Sequence, residues 1–124
     1  MALALNVFKT VTSICPSSPV GIFTAPTGYA GVVLLAQAAN IGNDTRSVSF
    51  SHQRTVSGIA VTTEIVKDLP IPASDTANLL SGKLVLETND VLVISADNGT
   101  DVKFIASILE TLKLDDNFPK IRPQ

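Results

Sequence analysis

Alternating apolar and polar positions divide the chain into short period-two segments, separated by clusters of Pro, Gly, Ser, Asn and Asp. The clearest is 45–54 (TRSVSFSHQR), where Val48, Phe50 and His52 share one side and Ser47, Ser49 and Ser51 the other. That pattern predicts a half-buried antiparallel strand with its apolar side toward the core. Residues 6–15 (NVFKTVTSIC) alternate too, with Phe8, Thr10, Thr12 and Ile14 against Val7, Lys9, Val11 and Ser13. Their β-branched content favours a strand over a helix. Residues 102–112 (VKFIASILETL) set Phe104, Ala106, Ile108 and Glu110 against Lys103, Ile105, Ser107 and Leu109. Further strands are predicted at 20–24, at 56–66 beyond Gly58, at 83–87 and at 91–95. The run VVLLAQAA within 29–41 is apolar on both sides and predicts a central strand covered on two faces.

Between these segments the turn chemistry is explicit. CPSSP at 15–19 is a loop, APTG at 25–28, NIGND at 40–44 and ETND at 87–90 are turns, and Ser81 with Gly82 is a turn or equally a bulge. Asn98 and Gly99 form the strongest short hairpin signal that a sequence offers. Pro70 and Pro72 lock φ and donate no backbone hydrogen bond. They confine 69–73 to an edge or a corner, with Leu69 and Ile71 turned inward. The stretch 64–95 thus reads strand, rigid corner, strand, tight turn, strand, the order by which a chain crosses between two antiparallel sheets and returns. About eight strands and no convincing helix predict an all-β fold, an antiparallel β-sandwich of jelly-roll-like form, with a closed barrel as the lesser alternative.

The expected organisation is a β-sandwich domain at 1–112 and a C-terminal extended arm or tail at 113–124 (KLDDNFPKIRPQ), where periodicity is lost. Within that segment Phe118 and Ile121 are large apolar side chains, and Pro119 and Pro123 favour an extended backbone. Phe118 and Ile121 are the candidate interface residues, since a stiffened arm with two anchors loses little entropy on docking to a neighbour.

Composition sharpens this picture. Only 16% of residues are charged, against a typical value of about 25%, while 45% are hydrophobic. Such a surface is either hidden partly against neighbours or built from neutral Ser and Thr. A net charge of −2 without a basic run argues against nucleic acid as a partner. No apolar stretch approaches the roughly 18 residues of a membrane helix, so no membrane partner is expected. Nor is a signal peptide evident at the N-terminus. A single cysteine, Cys15, excludes an internal disulfide and a cysteine zinc cluster, and fits folding in a reducing cytoplasm.

Candidate chemistry is sparse. His52, the one histidine, is in phase with Val48 and Phe50 and reads as a residue lining the core or a sheet edge. Catalysis would need a nucleophile and an orienting acid beside it, and no motif supplies them. Cys15 has no helix N-terminus or basic cluster nearby to activate it. The acidic DNGTD at 97–101 lacks the spaced ligands and closing Glu of a calcium loop. No metal, cofactor or catalytic residue is expected.

Three segments together carry a resemblance: TAPTGYAGVVLLAQAANIGNDTRSVSFSH at 24–52, EIVKDLPIPASDTANLLSGKLVLETNDVLVISA at 64–96, and KFIASILE at 103–110. Their order is similar to small β-sandwich virion structural proteins of tailed bacteriophages, particularly the contractile-tailed phages of marine cyanobacteria. The resemblance implies a non-enzymatic accessory protein on the capsid, neck, tail or baseplate. It implies location in the virion after synthesis in the host cytoplasm, contact with other virion proteins, homo-oligomers, and no catalytic residues to carry over. The rival expectation is a receptor- or carbohydrate-binding β-sandwich module, against which the absence of tryptophan and an aromatic content of 5% weigh.

Overall fold

The computed structural model describes residues 6–113, and among these the alternating segments form nine strands and no helix. They are β1 (Asn6–Ile14), β2 (Val20–Thr24), β3 (Tyr29–Asn40), β4 (Arg46–Val56), β5 (Ile59–Ile71), β6 (Thr76–Asn78), β7 (Leu84–Leu86), β8 (Val91–Ala96) and β9 (Val102–Leu112). The first sheet runs β1-β9-β3, with β6 and β7 both on the free side of β3; the second runs β2-β8-β4-β5. Every pairing is antiparallel. β7 lies beside Gly31, Val32 and Val33, and β6 beside Gln37, Ala38 and Ala39, so the two act as one interrupted eighth strand. Only β4 and β5 are consecutive partners in one sheet; the other connections, apart from that between β6 and β7, cross from sheet to sheet. This is the jelly-roll wiring of a sandwich.

The inward side of β4 behaves as its alternation predicts: Val48 and Phe50 are fully buried, and Ile94 and Leu92 line up beside them on β8. Across the sandwich, β9 contributes Val102, Phe104, Ala106 and Ile108, all buried. The Phe50 and Phe104 rings meet at 5.4 Å between centroids, tilted by 37°, and so tie the two sheets together. Cys15, just beyond β1, is buried as well, and its surroundings push the thiol up to about 11.

Three local expectations change. Asn98 and Gly99 do not close a hairpin, because β8 and β9 belong to different sheets. The Asn98 Oδ1 instead accepts from the Thr100 and Asp101 amides at 2.8 and 3.0 Å, folding a loop that spans the sandwich. The asparagine satisfies backbone donors of a crossover, a task that the dipeptide signal does not distinguish from a hairpin. Strand β6 is additional to the predicted strands: its three residues, Thr76, Ala77 and Asn78, have no pattern of their own and are ordered by the far side of β3 from β9. Finally, β3 is buried on one face only. Its bulge between Val33 and Leu35 leaves Leu34 and Leu35 on the outside, 37% and 39% exposed.

The prolines act as the sequence predicts. β5 continues past Pro70 on the outer edge of its sheet, where Pro70 stands opposite Ser47 and Ile71 turns inward, 1% exposed, and the strand ends before Pro72. At the tip of the hairpin, Ser57 and Gly58 both have positive φ, 52° and 80°, the signature of a two-residue type I′ turn.

A polar clamp holds the loops at one end. Asn40, 1% exposed, donates to the Asp44 and Ile71 carbonyls and accepts from the Gly42 amide. A Cβ on Gly42 would stand 2.6 Å from Asp101 Cγ and 3.0 Å from its Cβ. Asp101 itself holds Arg46 Nε at 2.9 Å. Gly42→Ala is therefore expected to displace Asp101, break that ion pair and destabilise the domain by roughly 1–3 kcal/mol, the usual cost of overpacking. Thermal unfolding of the variant checks it, and an unchanged midpoint would show that the loop yields freely.

Candidate assembly surfaces

The two outer faces of the sandwich differ in chemistry. On the second sheet Ser49, Ser51, Gln53 and Ser95 face outward, with Thr62 and Glu64 from β5 beside them, around a groove of about 430 Å³. Ser51 is 8% exposed even though it points away from the core, being sunk within that groove. On the first sheet the outward positions are mixed, with Thr10, Thr12, Lys103 and Ser107 among them, but an apolar band runs across them. Phe8 lies opposite Leu109, Leu109 opposite Val32, and Val32 opposite Val85, which makes one row across four strands. Phe8 is 75% exposed and Val85 59%. Leu34, Leu35, Ile105 and Ile14 extend this face along the sheet, and a shallow concavity of about 630 Å³ lies over the Ile14 and Ile105 end. An exposed apolar band and a neutral Ser-rich surface are thus both present, one on each sheet.

The pattern behind the apolar face was visible without recognition of its meaning. β1 has no cleanly polar side because its inner positions, Val7 and Val11, and its outer ones, Phe8 and Ile14, are both apolar. β3 reads as doubly covered for the same reason. Glu110 is the exception on the inward side of β9: it is 4% exposed, and its Oε2 lies 3.1 Å from Lys9 Nζ without a well-angled hydrogen bond.

Beyond Gln53, β4 loses its β8 partner, and the β4–β5 hairpin continues as a two-stranded projection. Its tip exposes Val56, Ile59 and Val61, at 53, 68 and 48%. The nine residues 55–63 (TVSGIAVTT) carry no charge.

At the base of this projection sits a charged cluster. Asp90, 1% exposed, accepts from Arg54 Nε at 2.8 Å, Arg54 Nη2 at 2.6 Å, the Glu87 amide at 2.9 Å and His52 Nε2 at 2.9 Å. Burial alone would raise its pKa, but the hydrogen bonds from Arg54, His52 and the Glu87 amide outweigh it and hold the carboxyl well below the usual range. His52 and Asp90 form two-thirds of a nucleophile–base–acid arrangement. Yet no serine, threonine or cysteine among the described residues hydrogen-bonds to His52, and the cluster braces the 87–90 turn against β4. No group of three His, Cys, Asp or Glu side chains comes together as a metal site among the described residues. His52 is in phase with the core, as the alternation of 45–54 predicts, whereas its partner Asp90 is 38 positions away and leaves no local signal. The expected interface residues Phe118 and Ile121 lie outside the described residues.

No protein-family model matches the chain, and no curated protein matches it. Among solved structures it is similar to a chain in the acid-stable capsid of Helicobacter pylori bacteriophage KHP30. The two share 16% identity over 88% of this chain and 89% of that one, with a TM-score of 0.53. It is also similar to a chain of the infectious bursal disease virus particle, at 10% identity and a TM-score of 0.54. That likeness covers 88% of this chain but 31% of the viral one. A subunit of Bacillus endospore appendages aligns over 91% of this chain at 13% identity, with a TM-score of 0.47, too loosely to bear on the argument. These likenesses establish a fold shared with chains of viral capsids.

Proposed function

We propose that this chain is a non-enzymatic structural protein of a virion, of the accessory class found on tailed bacteriophages. It assembles in many symmetric copies on the capsid, neck or tail after synthesis in the host cytoplasm. The observation that carries this reading is the apolar band on the outer side of the first sheet, where Phe8, Leu109, Val32 and Val85 lie in register across four strands and Phe8 and Val85 are exposed. An isolated protein rarely exposes a contiguous apolar patch of that kind, and such a patch marks a contact with another protein. The fold likeness to chains of viral capsids supports the same reading.

In this reading 1–112 is the sandwich and 113–124 an assembly arm, which lies along a neighbouring subunit through Phe118 and Ile121. The receptor- or carbohydrate-binding alternative rests on the polar groove of the second sheet. No aromatic side chain lines that groove to stack on a sugar ring. Two variants test the assembly reading: Phe8→Asp, and truncation after Lys113. Both are expected to keep the melting temperature within a few degrees while losing incorporation into particles. Normal incorporation of the Phe8→Asp variant would overturn the role of the apolar face, and normal incorporation of the truncated chain would reduce the arm to a tail.

A further inference from the structure

We propose that the edge of β5, unpaired among the described residues, pairs with the same edge of a second copy about a two-fold axis through Val61, joining two second sheets into one. This inference is independent of the virion reading, because it rests on how the edges of the sandwich are protected. An unpaired strand edge is a template for another strand, and proteins blunt it with charges, prolines, bulges or interruption. The first sheet ends at β1, which has Lys9 at its middle, and at the interrupted pair β6 and β7. The second ends at the five-residue β2 and at β5. Along β5 the devices are concentrated in its second half: Glu64, Lys67, Asp68 at positive φ, a register shift, and Pro70. Ile59 to Thr63 has none of them, and it lies where β4 and β5 project beyond β8.

The register follows from the turn. A two-residue hairpin closes on a hydrogen-bonded pair, here Val56 and Ile59. Alternation then directs the amide and carbonyl groups of Ala60 and Thr62 away from β4, toward the open edge. Antiparallel pairing that satisfies both sets Ala60 against Thr62 of the second copy and Val61 against its own equivalent. In that register Ile59 meets Thr63 and Glu64 reaches the uncharged Ser57–Gly58 turn of the second copy, so no like charges oppose each other. Every central pair is uncharged and mostly β-branched, the composition that favours cross-strand contact. An isologous two-fold contact of this kind closes on itself as a dimer.

Cysteine placement reads the register directly. Residues opposite each other at a non-hydrogen-bonded position have Cα atoms about 4.5 Å apart, within disulfide reach. In the full chain, Val61→Cys is expected to form an intermolecular disulfide under mild oxidation. Ile59→Cys should not, because its two copies would stand roughly 13 Å apart along the strands. The native Cys15 is buried and adds no background. Sedimentation of the unmodified protein should show a dimer. Thr62→Pro, which removes an edge donor that β4 does not use, should weaken it at least tenfold. Ala60→Lys, which leaves the backbone intact, should do the same if the proline variant folds poorly. A monomer at all concentrations, cross-linking of Ile59→Cys as efficient as that of Val61→Cys, or a folded Ala60→Lys dimer of undiminished affinity would each overturn the proposal.

Discussion

Replacing Phe50 by alanine is expected to lower the melting temperature of the isolated protein by more than ten degrees or to prevent folding. The ring is fully buried, and it is the member of β4 that touches the opposite sheet through Phe104. Truncating a buried phenylalanine costs about 3–5 kcal/mol, because the lost transfer energy is joined by the cavity left behind. That is a large share of the roughly 5–15 kcal/mol by which domains are stable. The site has little room to collapse: its neighbours Val48, Ile94 and Phe104 belong to strands pinned by pairing on both sides. Phe8→Ala is the matched comparison, since Phe8 is 75% exposed and should lose little. Calorimetry on the two variants checks the contrast, and equal shifts would mean that inward and outward faces are misassigned.

Asp90→Asn is the second large effect, expected at about 2–3 kcal/mol. Breaking a buried charge cluster by removing one partner costs roughly 3–5 kcal/mol. The lower value applies because the Arg54 side chain is 40% exposed and recovers hydration. His52 and the Glu87 amide also lose an acceptor for their N–H groups. The same cluster sets an acid limit. The folded carboxyl is held well below the ordinary value of about 3.9 that it has when unfolded. Its contribution is therefore complete above that ordinary value and lost as the pH falls through the range below it. Denaturant titrations from neutral pH down to pH 3 should show the wild-type protein losing stability more steeply than Asp90→Asn at the acid end. Parallel curves would show that Asp90 is not the titrating group.

How far the sequence carries can be seen strand by strand. β4 and β9 have one apolar and one mixed side, so period two identified both strands, and for β4 the inward residues as well. Pro70 and Pro72 marked an edge because a missing N–H is a local property, independent of the rest of the fold. What depends on distant partners was hidden. Thr76, Ala77 and Asn78 become a strand only because β3 offers unpaired groups, and Asn98 spans a crossover only because β9 lies in the other sheet. The Asp90 cluster joins residues 38 and 36 positions apart, a relation that spacing cannot encode. The double apolarity of β1 and β3 is the instructive case. Period-two reasoning took VVLLAQAA as a strand covered on both faces, whereas one of those faces is bare in the single chain. The pattern is explained once the second cover is another subunit. Low charge content, which alone was compatible with a Ser/Thr surface, then divides between the two sheets.

The assembly reading stands most directly on the composition of the particle. Quantitative mass spectrometry of purified virions, scaled to the major capsid protein, gives the copy number of this chain. The account predicts a reproducible number, fixed by the symmetry of the capsid, neck or tail and unchanged by high-salt washing, since the contacts are apolar. A chain absent from purified particles, or present in variable traces that wash away, would contradict it.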